Sequence, residues 1–178
     1  RNTTSCYLEE FQFGSAREEM MFLQASASLR AGILTQALRD LKTFQKNFPK
    51  SRKYYEQMLF KKGEVLARMQ QYSGALQTLK LLLREYPATK FMDQTRYWLG
   101  DVIFYRAELI RQEGRMKEAV PEYKQVAVQL EKLNPGRLKD EHRWERLSLL
   151  GWTWLFQDQP ARASRYWEAY LKLLGTDD

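Results

Sequence analysis

Cysteine and histidine are nearly missing from this sequence, which contains one residue of each type. The lone Cys6 can form no intrachain disulfide, and it is compatible with either the cytoplasm or the periplasm. A zinc site made from cysteine and histidine would lack most of its ligands, and no Gly-rich phosphate loop or nucleophile motif is present. We therefore expect no metal, no other cofactor and no catalytic activity.

Glycine, proline and long apolar runs are scarce as well. Nine glycines and five prolines among 178 residues argue against a disordered or loop-dominated chain. The longest apolar stretch, residues 147–156, is far shorter than the ~20 residues that a membrane-spanning helix requires. That stretch indicates a buried helix, and neither a transmembrane segment nor a signal peptide is visible in the sequence.

Apolar and aromatic residues are plentiful, at 44% and 13% of the chain, and the net charge is +7. The apolar fraction is enough to bury one sizeable core. The positive charge favours acidic partners. Nucleic acid is the main alternative class of partner, but the lysines and arginines form no dense stripe along one helix face, and no nucleic-acid-binding motif is present.

Small residues recur at a fixed spacing along the chain. Three alanines each lie twelve residues after a glycine or an alanine, and two of them are followed by a proline after twelve more. These positions are Ala25, Ala37 and Pro49; Gly63, Ala75 and Pro87; and Gly151 and Ala163. Such a period predicts a repeated pair of helices, in which small residues let the two helices of a pair approach closely.

Proline and polar residues indicate where the helices begin and end. A proline just past the second helix of a pair stops that helix. Ser51 and Thr89 then stand where the next helix needs an N-cap, and Ser15 with Glu18 has the pattern of a capping box that opens the first repeat. Pro160 is expected at the first position of the last helix, where proline is tolerated.

The third unit departs from the period. Nineteen residues, not twelve, separate Gly100 from Ala119. The seven extra residues correspond to about two helical turns. We therefore expect the first helix of this unit to run from near Phe91 to Glu113, with Gly114 in the turn and with a tip that projects beyond the neighbouring units.

The frame of glycine or alanine, then alanine, then proline resembles the tetratricopeptide repeat. The resemblance implies an all-α fold, a right-handed α-solenoid of about four antiparallel helix hairpins. The repeats would cover about residues 18–50, 52–88, 90–135 and 137–175 of a single domain over 15–178, after a lead-in or N-terminal cap over 1–14. Proteins of this class are interaction scaffolds, so the implied partner is a protein or peptide, and no small-molecule substrate is expected.

The junction between the second and third units is similar to one found in bacterial cell-envelope proteins. It reads YPATKF over residues 86–91 and RYWLGD over residues 96–101. Similar junctions occur in the Tol–Pal-associated cell-division coordinator and in the outer-membrane-assembly lipoprotein BamD. This resemblance implies a periplasmic or outer-membrane-associated protein in a cell-envelope assembly, with the cytoplasm as the alternative.

The first helices of stacked hairpins line the concave face that such arrays use for binding. Counting from the small residue of each first helix gives candidate groove positions. They are Phe22, Ser26 and Arg30; Gln57, Phe60, Glu64 and Arg68; Gln94, Tyr97, Asp101 and Tyr105; and Glu145, Ser148, Trp152 and Phe156. The predicted partner contacts among them are Phe22, Arg30, Phe60, Glu64, Arg68, Tyr97, Asp101, Tyr105, Trp152 and Phe156. Aromatic anchors would hold an extended peptide or a helix, and an arginine would pair with a carboxylate of the partner.

The same residues leave other interpretations open. The groove rings could instead pack between hairpins, as we expect for Trp98, Trp154 and Trp167, which fall at positions between helices. His142 is expected to be an exposed polar residue at a helix start. The last helix, about residues 160–174, ends without a polar cap. A homodimer or a contact with another protein through that helix, or docking through the convex face as a structural subunit, is therefore an alternative to groove binding.

One subtype of the family clamps the C-terminal carboxylate of heat-shock chaperones with lysine, asparagine and arginine side chains. In this sequence the residues at the corresponding positions do not match that pattern. They are Phe22, Ser26, Lys61, Gln94 and Trp98. Carboxylate clamping of that type is therefore disfavoured.

Overall fold

The computed structural model describes residues 3–49 and 51–175, with the side chains of residues 16–49 and 51–175. Within these residues all regular structure is helical, and eight α-helices follow one another as four hairpins. They are α1 (Thr3–Arg30) with α2 (Leu34–Asn47), α3 (Tyr55–Arg68) with α4 (Tyr72–Glu85), α5 (Met92–Gln112) with α6 (Met116–Lys132), and α7 (Asp140–Leu155) with α8 (Pro160–Leu174). The predicted all-α array of about four hairpins is confirmed.

The hairpins stack in chain order. Helices α1 and α3, α3 and α5, and α5 and α7 contact one another, and each second helix packs on the first helix of the next hairpin. The first helices therefore form a continuous layer, and a groove on that layer would be built by several hairpins at once. None of the described helices is both long and apolar enough to cross a membrane.

A glycine in each of three first helices lies against a large side chain of the second helix, and we call this line of contact the seam. Gly63 meets Leu79, Gly100 meets Leu130 and Gly151 meets the indole of Trp167. A Cβ atom at any of the three glycines would overlap its partner. The expectation that small residues let the helices approach closely therefore holds, because a larger residue would have to push the two helices apart or displace the partner.

The third hairpin is lengthened on both arms. Gly63 meets a residue sixteen positions later, whereas Gly100 meets Leu130, thirty positions later. Seven residues, about two turns, are thus added to each arm between the seam and the tip. Residues 112–118 at this tip are exposed, as a projecting tip requires. The expected alignment of Ala119 with Ala75 is corrected, because Val126 is the residue that lies four positions before the seam partner.

The four hairpin turns share one backbone geometry. In each turn one residue has a positive φ, namely Gly32, Gln70, Gly114 and Asp158. The next residue donates its N–H to the carbonyl five positions back, as in Ile33 to Ser28 (3.0 Å) and Gln71 to Leu66 (2.9 Å). Gly114 therefore lies in the turn as predicted, and α5 (Met92–Gln112) ends within one residue of the expected position.

Side-chain hydrogen bonds fix the turns that precede two first helices. Ser51 Oγ accepts the N–H of Tyr54 (2.9 Å), and Thr89 Oγ1 accepts the N–H of Phe91 (3.1 Å). The N-cap residues are Tyr54 and Phe91, and neither makes a side-chain cap, so the prediction that Ser51 and Thr89 are the N-caps is wrong. The helix start expected at Ser15 is wrong, because α1 is continuous from Thr3 and Ser15 lies inside it. Pro160 does occupy the first position of α8.

The connection between α6 and α7 contains a short 3₁₀ turn, Pro135–Arg137, that is fixed to α5. The buried carboxylate of Asp93 accepts the N–H of Asn134 (2.8 Å), and Gln94 Nε2 donates to the carbonyl of Arg137 (2.8 Å). Arg146 Nε donates to the carbonyl of Leu130 (2.7 Å). The first two bonds fix the connection to the first turn of α5, and the third joins α7 to α6, so together they position the start of α7.

Candidate functional site

A cleft with a volume of about 570 Å³ opens between α3, α5 and α7. Three successive hairpins contribute to its walls. The lining residues are Glu64, Ala67 and Arg68 of α3; Gln70; Tyr72 of α4; Tyr97, Trp98, Asp101 and Tyr105 of α5; and Lys139, Glu141, His142 and Glu145 at the start of α7. The volume is in the range of pockets that hold a small ligand or a few side chains of a partner.

The seam and the cleft use adjacent residues of the same helices. Gly63 faces α4, and the next residue, Glu64, lines the cleft. Gly100 faces α6, and the next residue, Asp101, lines the cleft. Successive side chains of an α-helix point about 100° apart around the helix axis. Since the glycine faces the second helix of its hairpin, the residue after it points towards the layer of first helices.

Half of the predicted contacts meet in this one cleft. Glu64, Arg68, Tyr97, Asp101 and Tyr105 all line it, together with Glu145, which was also a candidate groove position. The remaining predicted contacts, Phe22, Arg30, Phe60, Trp152 and Phe156, lie outside it.

Two predicted contacts are buried and offer little ring surface to a partner. Phe22 is 5% exposed and stacks on Tyr54, with ring centroids 4.5 Å apart. Tyr97 is 1% exposed, and its ring packs between Trp98 and His142. Their expected role as aromatic anchors for a partner is corrected to packing, because helices from neighbouring hairpins cover both rings.

The other aromatic positions outside the cleft make contacts of their own. Phe60 stacks on Phe91, with centroids 4.7 Å apart and planes within 7°. Trp152 is exposed and stacks on the half-buried Phe156, and the guanidinium of Arg111 lies 4.7 Å from the centre of the Phe156 ring. Arg30 is exposed at the end of α1. Trp98 is buried as predicted, while Trp154 and Trp167 are half-buried.

Tyr97 and His142 form the packed floor of the cleft. Their rings stack with centroids 4.2 Å apart, and Tyr97 Oη donates to the Glu145 carboxylate. Burial raises the pKa of Tyr97, so its hydroxyl remains a donor at any physiological pH. The expectation of an exposed His142 is wrong, because the stacking places it 8% exposed beneath α5. Burial lowers the pKa of its imidazole, which is therefore neutral at pH 7.

Carboxylates outnumber cations in the cleft. Four acids line it beside two basic side chains. Burial raises the pKa of Asp101 to about 7, and the negative charge of Glu145 adds to this rise. Burial also raises the pKa of Glu64, although Lys139 and Arg68 oppose the rise. A net positive chain therefore carries a locally acidic cleft, in which Arg68 lies 3.7 Å from Glu64. The pairing of Arg68 with a carboxylate of the partner stays a prediction.

Sequence reasoning missed several lining residues. Tyr72, Lys139, Glu141 and His142 line the cleft but were not among the groove positions. Glu141 lies four residues before Glu145, so the two side chains share one face of α7. That spacing would have identified Glu141. Tyr72 belongs to a second helix, and a rule that counts only along first helices cannot find it.

The side chains that line the cleft are suited to bind and orient a ligand. Among the described residues, no serine, threonine or cysteine lines it. Nor do the described residues include a group of three or more His, Cys, Asp or Glu side chains placed to hold a metal ion. Its acceptors are carboxylates and an imidazole, and its ring faces are those of tyrosine and tryptophan. Both groups attract cations.

Residues 19–51 and 57–89 match the sequence model of the tetratricopeptide repeat family. The chain is similar in fold to MamA 41-end from Desulfovibrio magneticus RS-1, with a TM-score of 0.58 and 17% identity over 90% of this chain and 77% of that chain. A crystal structure of MamA aligns with a TM-score of 0.57 and 14% identity over 93% of this chain and 83% of that chain. MamA of AMB-1 aligns with a TM-score of 0.54 and 12% identity over 90% of this chain and 75% of that chain. No curated protein matches the sequence.

These similarities agree with the helix hairpins. The two matched segments overlap the first two hairpins, the first of them from residue 19 within α1. The third and fourth hairpins lie outside the matches, and fourteen added residues break the period in the third. The predicted tetratricopeptide repeats are therefore confirmed for residues 19–51 and 57–89. Identities below 20% show a shared fold alone. The resemblance to the Tol–Pal coordinator and BamD stays a prediction.

Proposed function

We propose that this chain is a non-catalytic scaffold that holds an extended segment of a partner protein in the cleft between α3, α5 and α7. The observation that supports the proposal is that predicted contact residues from different helices lie together in one cleft. Glu64, Arg68, Asp101 and Tyr105, chosen by spacing alone, line one cleft built from three successive first helices. Residues spread over three hairpins suit an extended ligand that touches each hairpin in turn.

The charge of the cleft separates this proposal from nucleic-acid binding. A phosphate backbone is bound by clusters of lysine and arginine. Among the described residues that line the cleft, the lysine and arginine side chains are Arg68 and Lys139, and each lies 3.7 Å from a carboxylate, those of Glu64 and Glu141. The surrounding acids would repel phosphate, so the main concave site favours a protein or peptide.

A library of linear peptides displayed on phage provides the test. The purified chain should enrich a family of related sequences, and synthetic copies should bind in isothermal titration calorimetry. Tyr105→Ala is the informative variant, because Tyr105 lines the cleft and is 46% exposed. We expect it to weaken the binding of the selected peptides by about tenfold or more, because the bound peptide loses one aromatic contact.

Leu109→Ala is the matched control. Leu109 lies one turn further along α5, is 50% exposed and does not line the cleft. It should leave the affinity unchanged. Enrichment of no peptide sequence, or peptides whose affinity falls equally in both variants, would contradict binding in the cleft.

Helix α8 supports a second candidate function, docking as a subunit. Leu171 and Leu174 are exposed large hydrophobic residues on this last helix. If α8 is an interface between copies of this chain, Leu171→Glu should shift the sedimentation coefficient towards that of a monomer. Identical sedimentation of both proteins over a wide concentration range would remove this candidate.

A place in the cell envelope remains part of the proposal. It is supported by the YPATKF and RYWLGD segments of residues 86–91 and 96–101. Fractionation of bacteria that produce the protein from its natural gene should recover it with periplasmic or outer-membrane markers, and recovery with cytoplasmic markers would overturn this part.

A further inference from the structure

The charges in the cleft are unevenly compensated. Arg68 lies 3.7 Å from Glu64, and Lys139 lies 3.7 Å from Glu141. Asp101 and Glu145 form no ion pair with any residue that the structure describes. The two carboxylates are close enough for the charge of Glu145 to act on Asp101. The inner part of the cleft therefore holds two acids that lack a cation.

A ring nitrogen without a hydrogen-bond partner lies in the same wall. His142 is 8% exposed, lines the cleft and stacks on Tyr97. Its Nδ1 has no hydrogen-bond partner among the described residues. When the ring carries its proton on Nε2, which is the nitrogen nearer Glu141 at 3.6 Å, Nδ1 is an acceptor. A buried polar atom without a partner is uncommon, and in this tautomer an N–H group of a bound ligand would satisfy it.

Aromatic faces complete the site. The rings of Tyr72 and Tyr105 lie parallel, with planes within 5° and centroids 6.4 Å apart, and both line the cleft. Trp98 adds a third ring to the lining. Cations bind over such faces, and the planar guanidinium of arginine stacks on them while its N–H groups reach carboxylates.

We propose that the cleft is a receptor for one arginine side chain of the partner segment, with the guanidinium bound by Asp101 and Glu145 and stacked against Tyr105. This inference rests on the proposed function, because the arginine belongs to the segment that the cleft holds. The net charge of +7 limits the partner further. A segment rich in basic residues would be repelled by the rest of the surface, so an isolated arginine in a neutral or acidic segment fits best.

The first test uses small probes of defined chemistry. N-acetyl-arginine N-methylamide is titrated into the ¹⁵N-labelled chain, beside the citrulline analogue, which has the same shape and no charge, and the lysine analogue. The arginine probe should shift the amides of Asp101, Tyr105 and Glu145 with roughly millimolar affinity, and the citrulline probe should bind at least about tenfold more weakly, the effect of losing a charged hydrogen bond.

The second test uses variants with the arginine probe. Asp101→Asn removes one carboxylate charge and keeps the shape, and it should weaken the arginine probe about tenfold. Glu113→Gln is the control, because Glu113 is an exposed carboxylate at the tip of the third hairpin, paired with Arg115. It should have no effect. Circular dichroism checks that both variants keep their helices.

Several results would overturn the arginine assignment. They are equal binding of the citrulline probe, equal or tighter binding of the lysine probe, shifts outside the cleft, or unchanged affinity in Asp101→Asn. Failure here is distinct from failure of the proposed function. If phage-selected peptides bind the cleft but contain no common arginine, only this inference falls. If no peptide is selected while the arginine probe still titrates into the cleft, the proposed function falls.

Discussion

The seam and the cleft lie one residue apart and obey opposite rules. At the seam Gly100 packs on Leu130 without any charge, and replacing its hydrogen by a methyl group would already cause overlap. At the cleft the next residue, Asp101, is a buried carboxyl group whose negative charge is disfavoured by its surroundings, so its pKa is raised. The same pairing recurs in α3, where Gly63 is followed by Glu64.

The contrast identifies which residues serve the fold and which serve binding. A seam residue stabilises the hairpin, so its replacement should lower stability. A charge that is partly buried without a partner cation destabilises the fold, and such groups concentrate at functional sites. Replacing Asp101 should therefore raise stability while it weakens binding. The predictions below test this division, from the largest expected change in the free energy of unfolding to the smallest.

Tyr97 should contribute most to the free energy of unfolding. Although it borders the cleft, its ring is fully packed against Trp98 and His142. Tyr97→Ala should lower the free energy of unfolding by about 3–5 kcal/mol, as for other large aromatic side chains truncated in a core. Tyr97→Phe keeps the ring and loses only the hydrogen bond to Glu145, for a cost of about 1 kcal/mol. Urea denaturation monitored by circular dichroism measures both values, and near-equal losses would show that the hydroxyl, not the ring, is what matters.

Asp101→Asn should stabilise the protein at neutral and higher pH. The pKa of Asp101 rises from 3.8 in the unfolded chain to about 7 in the fold. The protonated group therefore favours folding below pH 4, and this contribution is lost as the pH rises towards 7. Asparagine resembles the protonated form, so the variant should exceed the wild type by roughly 2–4 kcal/mol at pH 8, since one pKa unit is worth about 1.4 kcal/mol.

The difference between the two proteins as a function of pH is the decisive measurement. Denaturation at pH 4, 6 and 8 should give the smallest difference at pH 4 and a growing one above it. Other titrating groups are common to both chains, so they cancel in the difference. A constant offset across this range would mean that the Asp101 carboxyl titrates normally and that the cleft is better solvated than its geometry indicates.

Two glycines test the seam directly. In Gly63→Ala the new methyl group would overlap Leu79, which is fully buried and has little room to move. We expect a loss of about 1–3 kcal/mol. At Gly74 in α4 the same methyl group would meet Leu66 at an ordinary 3.6 Å, so Gly74→Ala should gain about 0.5–1 kcal/mol from higher helix propensity. If the two variants change stability in the same direction, close approach at the seam does not control hairpin stability.

Local spacing predicted much of the fold. The interval between Gly100 and Gly114 fixed the length of α5, because a helix stops where a glycine takes a positive φ in the turn. It could not reveal the extra turns of α6, since no small residue marks the opposite arm. Leu130 lies opposite Gly100 only through packing of two separate helices. The helix start predicted at Ser15 was wrong for a related reason. A capping-box pattern inside a longer helix has the same sequence as one at a helix start, so the pattern alone does not distinguish the two.

The candidate site was predictable in position but not in charge balance or depth. Counting from Gly63 and Gly100 located Glu64, Asp101 and Tyr105, since one helix face is a local property. The burial of Tyr97 depends on His142, 45 positions away, which stacks on it. That contact exists because the 3₁₀ turn ties α7 to α5, and no periodicity within a single helix contains this information.

Tyr105 should give the smallest change in stability and a large one in binding. It is 46% exposed, and its main folded contacts are the rings of Tyr72 and Phe104. Tyr105→Ala should lower the free energy of unfolding by no more than about 1.5 kcal/mol, the value of an aromatic pair. Affinity for the arginine probe should nevertheless fall, because a stacking face is lost. Gly63→Ala should behave in the opposite way, with reduced stability and unchanged affinity at a temperature where both proteins are folded. If both variants lowered stability and affinity in proportion, the seam and the cleft would act as one cooperative unit, and adjacent residues of α3 and α5 would not divide folding from binding.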